Sequence, residues 1–118
     1  MKNQPFHTRM GFALAGIAAV WRSERSFRTQ CALAAGAVVV TALLRPGWVW
    51  AAIVGLAIAL VLAFELMNSA LEYAIDKFHP DVAPEIKRAK DAAAGAVLTA
   101  STGALVVGLI MLWATWLG

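Results

Sequence analysis

With 118 residues, the chain is long enough for one domain and no more. It is 61% hydrophobic and only 14% charged, whereas a soluble domain is typically about one quarter charged, so the composition points to the bilayer. The single cysteine excludes an internal disulfide, and the formal net charge of +3 is unevenly spread.

Residues 6–28 predict an amphipathic helix that lies in the membrane interface. Phe12, Ala15 and Ala19 share one helical stripe, whereas the last third of the segment is charged. The segment carries too many charges to span a bilayer, and surface helices of this kind bury only one face.

Three runs without a charged residue follow, at 29–44, 46–64 and 92–118. A helix that spans a bilayer needs roughly 20 apolar residues, with ~17 as the lower limit. The third run is long enough, and the second is long enough with its flanks. The first run is short and either borrows length from Ser26 and Phe27 or crosses a thin region.

The second helix continues beyond its apolar run, because residues 65–77 contain no glycine or proline. Residues 78–84 predict a loop, since two prolines interrupt them. We place the three spans at 29–45, 47–77 and 85–117. The predicted fold is an all-α membrane protein, a single domain over 1–118 with three transmembrane helices and a surface helix.

Basic residues concentrate in 1–28 and 77–91, whereas the turn between the first two spans offers only Arg45. Positive charge marks the cytoplasmic side, so we predict a cytoplasmic N-terminus and an external C-terminus. Four tryptophans lie where an outer aromatic belt is expected: Trp48, Trp50, Trp113 and Trp116. In such a protein, the basic residues suit anionic lipid or nucleotide phosphate better than nucleic acid.

Four polar side chains share a stripe at the end of the second span: Glu65, Asn68, Glu72 and Asp76. At 100 degrees per residue they occupy well under a third of the helix circumference. Ionisable groups at membrane depth are costly and are retained where they face protein, a cavity or headgroups. Asp76 also suits a solvated surface position, but Glu65 directly follows the apolar run, which favours a functional role.

Such a stripe suits a Mg²⁺ or Ca²⁺ site, a proton relay or phosphoryl transfer. Glu24, Lys90 and Asp91 are predicted on the same side of the membrane. An ion pathway needs polar groups across the spans, and their outer halves offer only a few hydroxyl residues, among them Thr41, Ser101 and Thr102. The set therefore favours a metal–nucleotide site, although GxxxxGK[ST] and GxGxxG motifs are absent from the sequence.

The segment ELMNSALEYAIDK (65–77), followed by KRAKDAAAGAVL (87–98), resembles the prokaryotic diacylglycerol kinase family. In that family a glutamate, an asparagine three residues on and a glutamate seven residues on precede an A-K-D motif. SERSFR (23–28) is similar to the family's E-x-x-F-R segment, and the resemblance covers nearly the whole chain. Many members from Gram-negative bacteria carry an acid at the position of Gln30.

The resemblance implies a homotrimeric lipid kinase of the bacterial cytoplasmic (inner) membrane, with active sites between subunits on the cytoplasmic side. It implies transfer of the γ-phosphate of ATP, with Mg²⁺ as cofactor, to diacylglycerol, giving phosphatidic acid. Relatives in Gram-positive bacteria prefer undecaprenol, and that alternative stays open.

The resemblance also assigns roles position by position. Glu65 matches the general base that takes the proton of the lipid hydroxyl, and Glu24 and Glu72 match the acids that hold the divalent metals. The implied nucleotide contacts are Glu24, Asn68, Glu72, Asp76, Lys90 and Asp91. The implied lipid contacts are Glu65 and Asn68.

Two hypotheses from other functional classes remain: a small proton-coupled transporter and a purely structural trimeric membrane protein. A transporter of this size is expected to have a fourth span and a glutamate within the first one. The first span here contains no acid.

Overall fold

The computed structural model describes residues 2–79, 81 and 83–118. Pro80 and Val82, which belong to the predicted loop, lie outside the described residues. The described part of the chain forms four helices: α1 (Phe6–Ser23), α2 (Arg25–Leu44), α3 (Trp48–Phe78) and α4 (Pro84–Trp116). The described residues contain no strand, which confirms the predicted all-α fold.

Three of these helices are long and apolar enough to cross a membrane. Because a helix rises 1.5 Å per residue, the 20 residues of α2 measure about 30 Å, which matches the hydrocarbon core of a bilayer. The 31 residues of α3 and the 33 of α4 exceed that thickness by about 16 Å and about 20 Å. The chain is therefore a multi-pass membrane protein, and the surplus turns carry the charged residues of α3 and α4.

The predicted continuous helix over 6–28 is broken at Glu24, which has extended backbone angles (φ −116°, ψ 109°). α1 ends at Ser23, and α2 begins at Arg25, four residues before the predicted start of the first span. The first span thus incorporates Ser26 and Phe27, and Phe27 is buried at 4% exposure.

Local hydrogen bonds explain why the helix ends there. The Ser23 hydroxyl donates to the carbonyl of Ala19 at 2.9 Å, a contact that competes with regular helix bonding and often bends helices. The guanidinium of Arg28 donates to the carbonyls of Trp21 and Arg22, which are left without helical partners at the end of α1. The break is thus capped from the following helix.

A tight turn makes α2 and α3 an antiparallel hairpin. Arg45 adopts the left-handed conformation (φ 51°), and its N–H donates to the carbonyl of Thr41 at 3.0 Å. Gly47 has φ 107° and ψ 163°, a region that is essentially restricted to glycine. Pro46 cannot continue the ladder of α2, so the chain reverses here.

α3 is the central helix and packs against both α2 and α4. Val54, Val61 and Ile75 of α3 are buried, together with Met111 of α4. At the other end of this packed region α4 begins at Pro84, one residue before the predicted start, because proline suits the first position of a helix. The first turns of α2 and α4, which carry predicted site residues, therefore belong to helices that pack against α3.

Candidate functional site

The polar stripe of α3 shows a gradient of burial along the helix axis. Glu65 is only 4% exposed, Asn68 and Glu72 are half-buried, and Asp76 is exposed. Glu65 and Glu72 are seven residues apart, or about 10 Å along the axis. The stripe therefore leads from a carboxylate enclosed by protein to the exposed end of the helix.

Ser26, in the first turn of α2, donates a hydrogen bond to Oε2 of Glu65 at 3.3 Å. A carboxylate at this depth is costly unless it is hydrogen-bonded, and the serine hydroxyl supplies one such donor. The contact also fixes the orientation of the Glu65 side chain at the end of the apolar run. A carboxylate held in this way can accept a proton from a hydroxyl group that comes within hydrogen-bond reach.

Asn68 carries a buried side-chain oxygen, Oδ1, that has no hydrogen-bond partner among the described residues. Leaving a buried acceptor unsatisfied costs about 1–3 kcal/mol, so such groups are rare without a reason. Asn68 lies one turn from Glu65 and about one turn from Glu72. The unsatisfied oxygen is available to a donor or cation that enters the stripe with a ligand.

The outer end of the stripe is tied to α4 by an ion pair. Lys90 Nζ lies 2.6 Å from Asp76 Oδ1. The hydrogen bond to Asp76, together with the negative charges of Asp76 and Glu72, raises the pKa of Lys90, which lies before the uncharged segment 92–116. Lys90 is thus held as a cation, and its charge is shared with two carboxylates.

Asp91, the neighbour of Lys90 in the sequence, does not join the stripe. It pairs with Lys87 on its own helix at 2.7 Å, and both side chains are largely exposed. Successive residues of a helix differ by 100 degrees, so Lys90 and Asp91 lie on different faces. Of the predicted Lys90–Asp91 pair, only Lys90 contacts the stripe.

Glu24 is half-buried at the break between α1 and α2. The serines on either side of it both contact α3: the hydroxyl of Ser23 bonds to that of Tyr73, and Ser26 bonds to Glu65. These contacts bring the segment 23–26, which contains the predicted metal ligand Glu24, against α3.

Four residues of this site were missed by reasoning from the sequence: Ser23, Ser26, Ser69 and Tyr73. Ser69 is buried at 2% exposure and lies one turn beyond Glu65. The 3.6-residue period of the helix therefore indicates that it shares the buried face of Glu65. The two serines and the tyrosine meet across separate helices, and no local pattern indicates such contacts.

The oxygen-rich side chains suit a hard divalent cation, although they do not form a closed cage. Among residues 2–79, 81 and 83–118 there is no cluster of three or more His, Cys, Asp or Glu that could hold a metal ion. Mg²⁺ is commonly bound by one or two carboxylates, with phosphate oxygens and water as the other ligands. The carboxylates of Glu24 and Glu72 and the unsatisfied oxygen of Asn68 are oxygen ligands of the kind that such a cation uses.

Comparison with known proteins shows which family the chain resembles. The family described as prokaryotic diacylglycerol kinase matches residues 11–112, a range that includes every candidate residue above. A diacylglycerol kinase of Synechocystis sp. is 35% identical over 98 residues, which cover 82% of this chain but only 56% of that protein. The chain thus spans about half the length of this relative.

Two further relatives match over most of their own length. The diacylglycerol kinase of Escherichia coli (strain K12) is 30% identical over 103 residues, covering 87% of this chain and 84% of that protein. The undecaprenol kinase of Bacillus subtilis (strain 168) is 32% identical over 96 residues, covering 81% of this chain and 78% of that protein. The chain is therefore similar to kinases named for two different lipid acceptors.

Proposed function

This chain belongs to the prokaryotic diacylglycerol kinase family, and from that membership we propose that it phosphorylates diacylglycerol with Mg-ATP, giving phosphatidic acid. The observation that carries the proposal is the burial gradient of α3. A lipid hydroxyl lies at the headgroup boundary, where Glu65 is buried, whereas a soluble nucleotide arrives where Asp76 and Lys90 are exposed to water.

At the lipid end, Glu65 accepts the proton of the acceptor hydroxyl as its oxygen forms a bond to the γ-phosphorus. The bond between the γ-phosphorus and the β–γ bridging oxygen breaks, and ADP leaves. Ser26 holds the carboxylate in place through its bond to Oε2. A general base of this kind contributes about 10²–10⁴-fold to the rate.

At the nucleotide end, Lys90 pairs with phosphate oxygens and offsets the charge that spreads over the transferring group. Glu24 and Glu72 hold the Mg²⁺, which supplies electrostatic stabilisation of that charge when bound. The Asn68 oxygen Oδ1 would accept a hydrogen bond from the nucleotide or act as a further ligand of the cation. Asp91 pairs with Lys87 on its own helix, and its predicted nucleotide contact stays a prediction.

The proposed setting is the bacterial inner membrane, with the site on the cytoplasmic side and the chain assembled as a homotrimer. The concentration of basic residues in 1–28 and 77–91 supports this orientation. The exposed apolar side chains of the spans support burial against lipid and neighbouring subunits, as for Leu33, Leu56 and Leu105.

A second acceptor, undecaprenol, is supported by one specific comparison. The undecaprenol kinase of Bacillus subtilis is as similar to this chain as the diacylglycerol kinase of Escherichia coli, at 32% and 30% identity. Both acceptors present a hydroxyl at the headgroup boundary, so the same base serves either. The difference lies in the lipid chain that packs beside the spans.

The test is transfer of labelled γ-phosphate from ATP by the purified full-length chain in mixed micelles. Separate arms contain diacylglycerol and undecaprenol, each with and without Mg²⁺. We expect Mg²⁺-dependent labelling of the lipid, faster for diacylglycerol. Faster labelling of undecaprenol selects the second acceptor, and the absence of lipid labelling in both arms contradicts the proposal.

Glu72→Gln tests the metal assignment in the same assay. Loss of one carboxylate ligand is expected to raise the Mg²⁺ concentration needed for half-maximal activity. Glu85→Gln is the matched control, because Glu85 is an exposed acid in the first turn of α4 whose ion pair with Arg88, at 3.9 Å, lies within that helix. An unchanged Mg²⁺ requirement in Glu72→Gln removes this residue from the metal site.

A further inference from the structure

We propose that Tyr73 and Ser23 are positioning residues that hold Glu24 in place for the metal–nucleotide site. The inference rests on the proposed function, because it concerns how one of the proposed metal ligands reaches its position. Neither residue belongs to the polar stripe recognised in the sequence. Their hydroxyl groups meet across 50 residues of sequence, between the end of α1 and the last turns of α3.

Glu24 needs such support because the break around it is short and α1 is weakly packed. A single extended residue separates two helices, so small changes in its backbone angles redirect the whole of α1. Val20 is the one residue of α1 that is buried. Large apolar side chains of this helix are exposed, among them Phe6 at 73% and Leu14 at 59%. Packing of α1 alone therefore does not fix Glu24.

The direction of the Ser23–Tyr73 hydrogen bond follows from counting protons. A serine hydroxyl has one proton, and that of Ser23 is directed to the carbonyl oxygen of Ala19 at 2.9 Å. Ser23 Oγ must then accept from Tyr73, and the phenol O–H is the donor. Tyr73→Phe removes this donor and keeps the aromatic ring, so it isolates the hydrogen bond from the packing.

A second contact holds the other side of the break. Ser26, two residues after Glu24, donates to Glu65 on α3, whereas Ser23 precedes Glu24 directly. Glu65 and Tyr73 are eight residues apart on α3, or about 12 Å along its axis. The two serines thus fix a four-residue segment at two points. The Ser26 contact lies at the lipid end of the site, and the Tyr73 contact lies at the level of Glu72 along the axis of α3.

This division predicts a selective effect. Loss of the Tyr73 hydroxyl releases Glu24 at the metal end, while Ser26 still holds Glu65 at the lipid end. Metal affinity is therefore expected to fall without a change in the lipid KM. A residue that only stabilises the fold would lower the melting temperature and the kcat without shifting the metal requirement.

The experiment uses the full-length chain in mixed micelles. Binding of Mn²⁺ is titrated by electron paramagnetic resonance in the presence of β,γ-methylene-ATP, and the Mg²⁺ dependence of lipid phosphorylation is measured in parallel. In Tyr73→Phe we expect the apparent Kd for Mn²⁺ to rise about threefold to tenfold, which corresponds to one lost hydrogen bond. The lipid KM is expected to stay within about twofold, since a single hydrogen bond at the metal end is lost.

Variants of Ser23 provide the coupling test. Ser23→Ala should weaken Mn²⁺ binding as Tyr73→Phe does, and the double variant should be no weaker than either single variant. Ser23→Thr keeps a hydroxyl and should restore the wild-type affinity. Thr99→Val is the control for loss of a hydroxyl elsewhere, because Thr99 donates only to Gly95 of its own helix at 2.8 Å.

Glu24→Gln separates failure of this inference from failure of the proposed function. If Glu24→Gln weakens Mn²⁺ binding and Tyr73→Phe does not, the positioning role is wrong and the metal assignment stands. If neither substitution changes Mn²⁺ binding, Glu24 is not a metal ligand and the inference falls with that assignment. Additive effects of the two single variants, or failure of Ser23→Thr to restore affinity, also overturn it.

Discussion

Replacing Asn68 by leucine should make the protein more stable and less active. The oxygen Oδ1 of Asn68 is buried without a partner, which costs about 1–3 kcal/mol relative to a satisfied or apolar group. Leucine has nearly the same shape and no polar atom. Because the residue as a whole is only half-buried, we expect a gain at the lower end, about 1 kcal/mol.

Activity should change in the opposite direction. If Oδ1 receives a hydrogen bond or the cation from the bound nucleotide, the variant loses that contact. Contacts of this kind with charged groups are worth about 1.5–3 kcal/mol, so kcat/KM for Mg-ATP should fall about tenfold or more. Opposite signs for stability and activity are typical of a polar group that is retained for ligand binding.

Stability is measured by SDS titration in decyl maltoside micelles, followed by the near-ultraviolet circular dichroism of the five tryptophans. Thr41→Val is the matched control, because Thr41 is also buried but its hydroxyl is satisfied by Ala37 at 2.8 Å. The control should gain no stability and keep full activity. A loss of stability in Asn68→Leu would refute the reasoning, since it would mean that Oδ1 has a partner in the assembled protein.

Three further predictions follow from single contacts. Ser101→Ala removes the acceptor of the 3.2 Å hydrogen bond from Gln30 between α2 and α4, and should cost about 0.6 kcal/mol, at most about 1.7, in the SDS titration. Asp76→Asn removes the main cause of the raised pKa of Lys90, so that pKa should fall toward its ordinary value in ¹⁵N NMR titration, and the KM for ATP should change without a change in the lipid KM. Gly47→Ala places a side chain at φ 107° and should cost about 1–3 kcal/mol in unfolding, whereas Gly103→Ala, in the helical part of α4, should not destabilise.

Much of the fold could be predicted from charge-free runs of residues. The continuation of α3 past its apolar run was predicted to residue 77, and the helix ends at Phe78, because residues 65–77 contain no residue that breaks a helix. The polar stripe of α3 follows from the same periodicity, since residues three or four apart share a helix face. Features that arise within one helix can therefore be predicted from the sequence.

The break at Glu24 could not be predicted from the sequence, since no glycine or proline marks it. It coincides with a contact that no local pattern indicates, that of Ser23 with Tyr73 across 50 residues of sequence. Lys90 shows the same limit, because it reaches Asp76 on α3, whereas the pair of Asp91 with Lys87 is an i,i+4 contact within α4. The tertiary contacts of Ser23 and Lys90 are not indicated by a local pattern, whereas the pair of Asp91 is.

The most direct test of the account is phosphoryl transfer by Glu65→Gln, measured with diacylglycerol and with undecaprenol beside binding of β,γ-methylene-ATP. If Glu65 is the base for a lipid hydroxyl, transfer to either acceptor should fall by about 10²–10⁴. Binding of the nucleotide should stay unchanged, because Glu65 lies at the buried end of the stripe. Transfer at a near-wild-type rate, with the variant folded and nucleotide-bound, would contradict the central claim.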